Sequence, residues 1–385
     1  MRICLVSHSF YPATFYGGPI SATWDLSKKL ADNDIKVFVS TTNANGNKKL
    51  DVLANKFIRK QKNLFIKYYN EQIINRFSFS FFLGIWSDIK KSDVVYIQYL
   101  FHYTVFFALT FSVILNKKII VCPRGSFSDF TLTNNLVTIK YLWLSLFIGP
   151  IIRKITWHAS SYIEKEDVLR RFPVAEVRVV NDGVNYLSFQ NNSEITRDDI
   201  LKQFTRKDFF QVSHLFFSMG RLHHIKCFNV LIDAFSLFEK NNGNAKLLIA
   251  GADDGAQESL FLQIKDLNLL DSVFLIGPIN FEEKKLLLSN CDVFALASEF
   301  ESFGIVVAEA LACGAPVVVS NKTPWKDLEI NNYGILADND KNSFYDAFRK
   351  IVRVNHDKDR IKKYVKENFD WDSIVERFIN LIRNK

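Results

Sequence analysis

The chain has 385 residues, 48% of them hydrophobic, with 36 Phe but only 15 Gly and 8 Pro. That length exceeds one comfortable core and points to two domains of about 200 residues each, while the composition excludes collagenous, disordered and low-complexity classes. The formal charge of +8 is uneven, with 24 Lys+Arg against 13 Asp+Glu over residues 1–185 and 25 against 28 over residues 186–385, so the first half carries a basic face.

Such a face could meet nucleic acid, an anionic bilayer or a phosphate-bearing acceptor. No zinc finger, RRM or helix-turn-helix pattern accompanies the charge, which argues against nucleic acid. The five cysteines, Cys4, Cys122, Cys227, Cys291 and Cys313, are odd in number and lack any C-x-x-C spacing. A disulfide framework or zinc site is not expected, and a reducing cytoplasm fits.

In chain order, "MRICLVSHSFYP" lacks the apolar stretch and cleavage site of a signal peptide, and reads as a first buried strand (2–7) opening into a loop. Further strands are expected at 36–41, 93–98 and 118–123, then at 215–220, 245–251, 273–277, 292–298 and 316–320, with helical stretches between most of them. Strands apolar on both faces that alternate with helices indicate parallel sheets covered on both sides, hence two doubly wound, Rossmann-like α/β domains. The apolar segments 99–115 and 141–152 approach a membrane span in character but are too short, so both are expected as core helices. After an "NDG" turn signal the chain becomes polar, placing a linker near 184–210 between domains at 1–190 and 205–369. Ligands of such domains bind outside the carboxyl ends of the strands, here across a cleft between the two.

Two motifs carry chemistry. "FSMGRLHHIKCFNVLIDAF" (217–235) runs from a strand through Gly220, Arg221 and Lys226 into a helix beginning near Phe228. Two cations and a helix N-terminus at the end of a strand suit a phosphate, the alternative being an exposed basic loop. "SEFESFGIVVAEALACGAPVVVS" (298–320) places Glu301 in a loop and Glu309 inside an apolar helix stopped by Gly314. An acid so embedded needs a ligand hydroxyl pair or an internal partner. The two carboxylates stand roughly 12 Å apart or less at helical rise. That suits an extended ligand with polyols at both ends and an anion between, received by the amides of Phe303, Gly304 and Ile305. A nucleotide sugar has that layout, whereas capping or solvated acids are the plainer alternative.

The run E-S-F-G-I-V-V-A-E-A-L-A-C-G-A-P-V-V resembles the E-x7-E signature of retaining GT-B glycosyltransferases, in particular glycosyltransferase family four, and "GRLHHIKCFNVLIDAF" resembles that family's G-R-L-x-x-x-K-G loop. Similar pieces recur at 10–19, 123–128, 157–168, 179–184, 249–255, 320–328 and 369–382, so the likeness covers almost the whole chain. It implies that Arg221 and Lys226 hold the donor's diphosphate, Glu309 the ribose hydroxyls and Glu301 the hydroxyls of the transferred sugar. It also implies that Gly17 and Gly18 approach the donor phosphates, and that the last helix, near 370–385, packs back on the first domain. Three positions depart from the pattern: Cys227 follows Lys226 in place of Gly, Gln98 stands where many members have His, with His102 four residues on, and Asn181-Asp182-Gly183 replaces Asn-Gly.

On this reading the protein is a retaining hexosyltransferase that uses a UDP- or GDP-linked donor, with Arg221, Lys226 and Glu301 as its catalytic residues and no cofactor or metal. The acceptor would be a glycan or a lipid-diphosphate-linked glycan of bacterial surface polysaccharide synthesis, at the inner face of the cell membrane. The aromatic and basic stretches 75–86 and 151–157 suggest docking on an anionic membrane, or else are ordinary surface helices. His8, His102 and His158 are expected to be structural, Glu299 a loop acid, and Glu164 part of a cap begun by Ser161. A nucleotide-sugar 2-epimerase, a phosphorylase or a non-catalytic nucleotide-sugar-binding scaffold are the competing classes.

Overall fold

A computed structural model describes residues 1–74, 77–134, 136–190 and 195–383. The chain divides into two compact units, Met1–Gly183 together with Trp371–Lys385, and Val184–Asp370.

The first unit is built on an eight-stranded sheet in the order Glu176–Val179, Ile155–Ala159, Lys118–Cys122, Val94–Gln98, Arg2–Val6, Lys36–Thr42, Leu64–Tyr69, Phe57–Gln61. Only the last pair is antiparallel. Val94–Gln98 is buried along its whole length, which is why it is written as an unbroken run of large apolar residues ending in Gln. The Gly18–Asp32 helix starts behind Gly17, whose φ of 75° and ψ of −148° belong to a region open to glycine. The Trp371–Arg383 helix also packs in this unit. Its indole lies so close to Gly183 that a Cβ there would come within 2.5 Å of the ring, Lys29 bonds Asp372, and Phe378 meets the Tyr96 ring edge-on at 5.1 Å.

Arg124, whose side chain is 1% exposed, pairs with Asp182 at 2.5 Å. The aspartate set between Asn181 and Gly183 is therefore the counterion of a buried guanidinium. His158 bonds the Tyr96 hydroxyl and the Val180 carbonyl, each at 2.8 Å, and burial pushes its pKa down to about 4. His102 caps the Tyr103–Ile114 helix through its side chain. Ser161 caps the helix that carries Glu164, and the Glu164 carboxylate accepts from Ser160 and from the Gly125 amide.

The second unit holds a six-stranded, fully parallel sheet in the order Val273–Gly277, Ala245–Ala250, His214–Met219, Val293–Leu296, Val317–Ser320, Gly334–Ala337. One face packs Phe216 against Phe235, Phe238 and Phe348. The other packs Phe217 and Phe294 with Val307 and Leu311. The strand order reverses at His214–Met219, whose neighbours are Ala245–Ala250 on one side and Val293–Leu296 on the other. The loops leaving the two strands that flank this switch point emerge side by side at the carboxyl edge.

Several expectations are corrected. The stretch 184–210 is not a linker: the second unit begins at Val184, and Arg197–Thr205 is a helix capped by Thr196 with Ile200 and Leu201 buried in the core; residues 191–194 lie outside the described ones. Of the stretch 151–157, Ile152, Ile155 and Trp157 are buried, because Ile155–Ala159 is an interior strand. Residues 75 and 76 of the other proposed docking stretch, and 384–385 of the last helix, lie outside the described residues. The segment 141–152 is not a wholly buried helix either, since Leu144, Ile148 and Ile152 face inward while Tyr141, Leu142 and Leu146 face out.

Candidate functional site

The site grows from the switch point of the second unit. His214–Met219 ends in Gly220, and the chain turns through Arg221 and the short His224–Lys226 helix before Phe228–Asn242 begins. This loop is seated by its neighbours: Gly220 N-H donates to Ala250 at 3.0 Å, Leu222 N-H to Ala252 at 2.8 Å, and Asp254 N-H to Leu222 at 3.1 Å. Gly251 makes that approach feasible, because a Cβ there would lie 1.8 Å from the Gly220 oxygen. At Cys227 the φ of 48° is left-handed, which accounts for the family's glycine at the position and shows that cysteine still makes the turn.

The neighbouring loop, from Val293–Leu296 to the Ile305–Ala312 helix, is pinned to the first by the Glu299 N-H, which donates to the Ile225 carbonyl at 2.8 Å. Lys226 Nζ donates to Glu301 Oε1 at 2.5 Å, and Ser298 Oγ donates to the same oxygen at 2.7 Å. Both charged side chains are mostly covered, 18% and 14% exposed. Arg221 pairs with Asp254 at 2.5 Å, so a residue that reads as a plain loop acid in the sequence holds one of the two cations.

Phe303 points into the core, 3% exposed, against Trp325 and Phe369. The Trp325 indole N-H donates to its carbonyl at 2.8 Å. Gly304 follows with a φ of 78°, and a Cβ there would meet Trp325 Nε1 at 3.3 Å and Glu301 Cγ at 3.5 Å. The helix N-terminus thus opens beside Glu301: Val307 N-H donates to the Gly304 carbonyl at 2.9 Å, and the Ile305 and Val306 N-H groups that precede it have no intrahelical acceptor. Glu309, 7% exposed, has the internal partner its setting demands: Lys284 of the Phe281–Asn290 helix donates to it at 2.5 Å. Lys284 Nζ also lies 5.4 and 5.5 Å from the ring centroids of Phe189 and Phe281, which contact each other at 5.2 Å. Lys284 and Asp254 are the residues that reading the sequence missed, since neither falls in a motif and both come from separate elements.

The structure joins Lys226 to Glu301 directly, sets Glu301 against Gly304, and carries Arg221 on the same loop as Lys226. Gly17 and Gly18 belong to the first unit, at the entry to its first helix. Among the described residues no cluster of three His, Cys, Asp or Glu is placed to hold a metal ion. The Asp-x-Asp triplets at 338–340 and 357–359 supply helix caps, and those at 32–34 and 370–372 make hydrogen bonds and surface ion pairs.

Residues 199–384 match the family described as glycosyl transferases group 1. An uncharacterised glycosyltransferase of Methanocaldococcus jannaschii is 30% identical over 235 residues, 57% of this chain and 57% of that protein. The O-antigen chain mannosyltransferase of Salmonella typhimurium is 24% identical over 219 residues, 56% of each chain. The chain thus spans little more than half the length of these curated relatives. A crystal structure of HepE from Anabaena in complex with UDP-glucose superposes with a TM-score of 0.76 over 100% of this chain and 99% of that one, at 17% identity. At that identity the likeness shows the fold, which is GT-B.

Proposed function

We propose that this chain, a GT-B protein whose residues 199–384 match the glycosyl transferases group 1 family, transfers a hexosyl group from a nucleotide-diphosphate sugar to a hydroxyl of a glycan or lipid-linked glycan acceptor. The observation that carries the reading is the Lys226–Glu301 pair beside the N-terminus opened by Gly304, with Arg221 on the same loop as Lys226. Fixed cations and free amides beside a buried carboxylate suit a diphosphate and the hydroxyls of an attached sugar. The matched O-antigen mannosyltransferase and the UDP-glucose-bound neighbour support a surface-polysaccharide role and a UDP- or GDP-linked donor.

In the reaction the bond between the anomeric carbon and the diphosphate oxygen breaks, and the acceptor oxygen bonds that carbon. The acceptor's proton passes to the leaving diphosphate on the same face, so the configuration is retained. Negative charge grows on the departing oxygen. On this reading Lys226, Arg221 and the first-turn amides meet it, which is electrostatic preorganisation rather than proton transfer by a dedicated base. Before the donor arrives Lys226 is balanced by Glu301 and Arg221 by Asp254, so the cations wait in place without unpaired charge.

Melting the purified protein with UDP, GDP, ADP and their sugars tests the reading. A recognised nucleotide at one hundred times its dissociation constant adds about 2.7 kcal/mol of stability, and its sugar should be hydrolysed slowly or transferred to an added acceptor. A protein that no nucleotide diphosphate stabilises would overturn it.

A further inference from the structure

We propose, resting on the donor site assigned above, that His223 is a positioning residue for donor binding: its neutral imidazole holds the turn that carries Lys226, and a proton taken up by that ring loosens the turn and weakens the grip on the diphosphate. His223 precedes the short His224–Lys226 helix with an extended backbone, φ −127° and ψ 146°, and its Nδ1 accepts from Ile225 N-H at 3.2 Å. The Ile225 carbonyl accepts from Glu299 N-H at 2.8 Å. Both backbone groups of the residue before Lys226 are thereby held, one by the imidazole and the other by the loop that carries Glu301. The backbone of His223 ties the same turn together, its N-H donating to the Arg221 carbonyl at 2.7 Å and its carbonyl accepting from Lys226 N-H at 2.9 Å.

Helix starts are ordinarily capped by Ser, Thr, Asp or Asn, whose acceptor oxygens persist across the neutral range of pH. An imidazole cap differs because its acceptor can be lost. Nδ1 accepts only while it carries no proton, so the neutral ring keeps its proton on Nε2. The imidazolium donates from both nitrogens, and its Nδ1-H would then face the Ile225 N-H, donor against donor.

The surroundings keep the ring neutral. Desolvation lowers its pKa below the ordinary histidine value, and His224, Arg221 and Lys226 push the same way, while Asp254 opposes them. The His224 ring centroid lies 3.9 Å away. Asp254 is engaged by Arg221 at 2.5 Å, and the carboxylate of Glu299, whose amide pins the turn, is bound by Lys322 and Asn339. A diphosphate would attract an imidazolium, so a histidine that binds phosphate directly gives tighter binding in acid. A histidine that positions Lys226 gives the opposite sign.

Amide exchange and calorimetric titration on the full chain test the two halves of the proposal. In the ligand-free protein, His223→Ala should speed exchange of the Ile225 amide by about fivefold or more, the usual scale of a lost cap, whereas His223→Asn keeps an acceptor for that N-H and should restore most of the protection. Titration then uses UDP-glucose and GDP-mannose, whose diphosphate diesters do not ionise over the range of about pH 5 to 8 in which histidine does. The parent should bind its donor about fivefold more weakly at the acid end of that range than at the neutral end. His223→Asn should bind well at both ends, His223→Ala weakly at both, and His224→Gln should keep the parent's dependence. Unchanged Ile225 exchange in His223→Ala, tighter binding in acid, or a dependence that survives in His223→Asn each overturns the proposal. Binding of neither donor at any pH overturns the donor-site reading and this proposal with it, whereas binding without the pH dependence overturns this proposal alone.

Discussion

Lys284 and Glu309 form an ion pair of 2.5 Å with only 15% and 10% of their side chains exposed, joining the Phe281–Asn290 helix to the helix that follows Gly304. Removing one member of such a pair leaves the other buried and uncompensated, at a cost of roughly 3 kcal/mol or more. Lys284→Met should therefore lower the urea midpoint by an amount of that order and weaken nucleotide binding, because the Glu309 carboxylate loses the group that orients it. Lys284→Arg should restore much of both. A methionine variant with unchanged stability and unchanged nucleotide affinity would show the pair to be incidental.

The two acids should separate in kinetics. Glu309→Ala is expected to lose the melting shift given by nucleotide alone, whereas Glu301→Ala should keep most of that shift and lose sugar transfer. Lys226→Ala should cut kcat by about a hundredfold, the usual cost of one preorganised donor at a developing charge. Single-turnover transfer and calorimetric titration on the same preparations check all three.

Gly251 should tolerate no side chain. The added Cβ of Gly251→Ala would sit 1.8 Å from the Gly220 oxygen, so the loop bearing Arg221 and Lys226 must move. Melting temperature and nucleotide affinity should both fall in this variant. Gly255→Ala is the control for a merely mobile loop, because Gly255 has open space around it but a φ of 92°, and should lose stability from backbone strain with less effect on affinity.

Stability should depend on pH through the buried histidines. Burial pushes His8 and His158 down to about 4, against 6.5 in an unfolded chain. Between those values the unfolded state binds more protons, so each histidine makes the protein less stable as pH falls from 6.5 to 4. Asp167, pushed up to about 6 by burial, acts oppositely over the lower part of that window, as does Glu164, also raised by burial. Comparing His158→Gln with the parent cancels the acids. The variant should gain on the parent by about 3 kcal/mol between pH 7 and pH 4, read from urea midpoints across that range.

Asp182→Ala should destabilise the first unit strongly, since Arg124 then loses its only charged partner within 4 Å among the described residues. The double variant Arg124→Met/Asp182→Ala should recover part of the loss, because replacing both ions costs less than orphaning one. Additive losses in that double-mutant cycle would deny the coupling.

How far the sequence foretold the structure depended on whether the signal was local. The strands at 2–7, 93–98 and 292–298 were legible because strands buried on both faces are spelled as unbroken apolar runs. Ile155–Ala159 was hidden by the cations of "IIRKITW", which belong to the turn before it, and Gly334–Ala337 by its brevity. The arginine-lysine loop and the two glutamates could be read from spacing. Their partners could not: Asp254 and Lys284 reach the site from other elements, and only the sheet order brings those elements near. Asp182, an unexplained change in the chain, acquires its meaning from Arg124, which lies 58 residues away.

Because the Trp371–Arg383 helix completes the first unit, that body is assembled from two stretches of chain, with the residues of its neighbour lying between them in sequence. Ribosomal synthesis therefore delivers residues 1–183 long before the indole that covers Gly183. A nascent first unit must wait, with that wall open, until the second has been made. Removing the fifteen residues from Trp371 to Lys385 would wound the unit that is translated first.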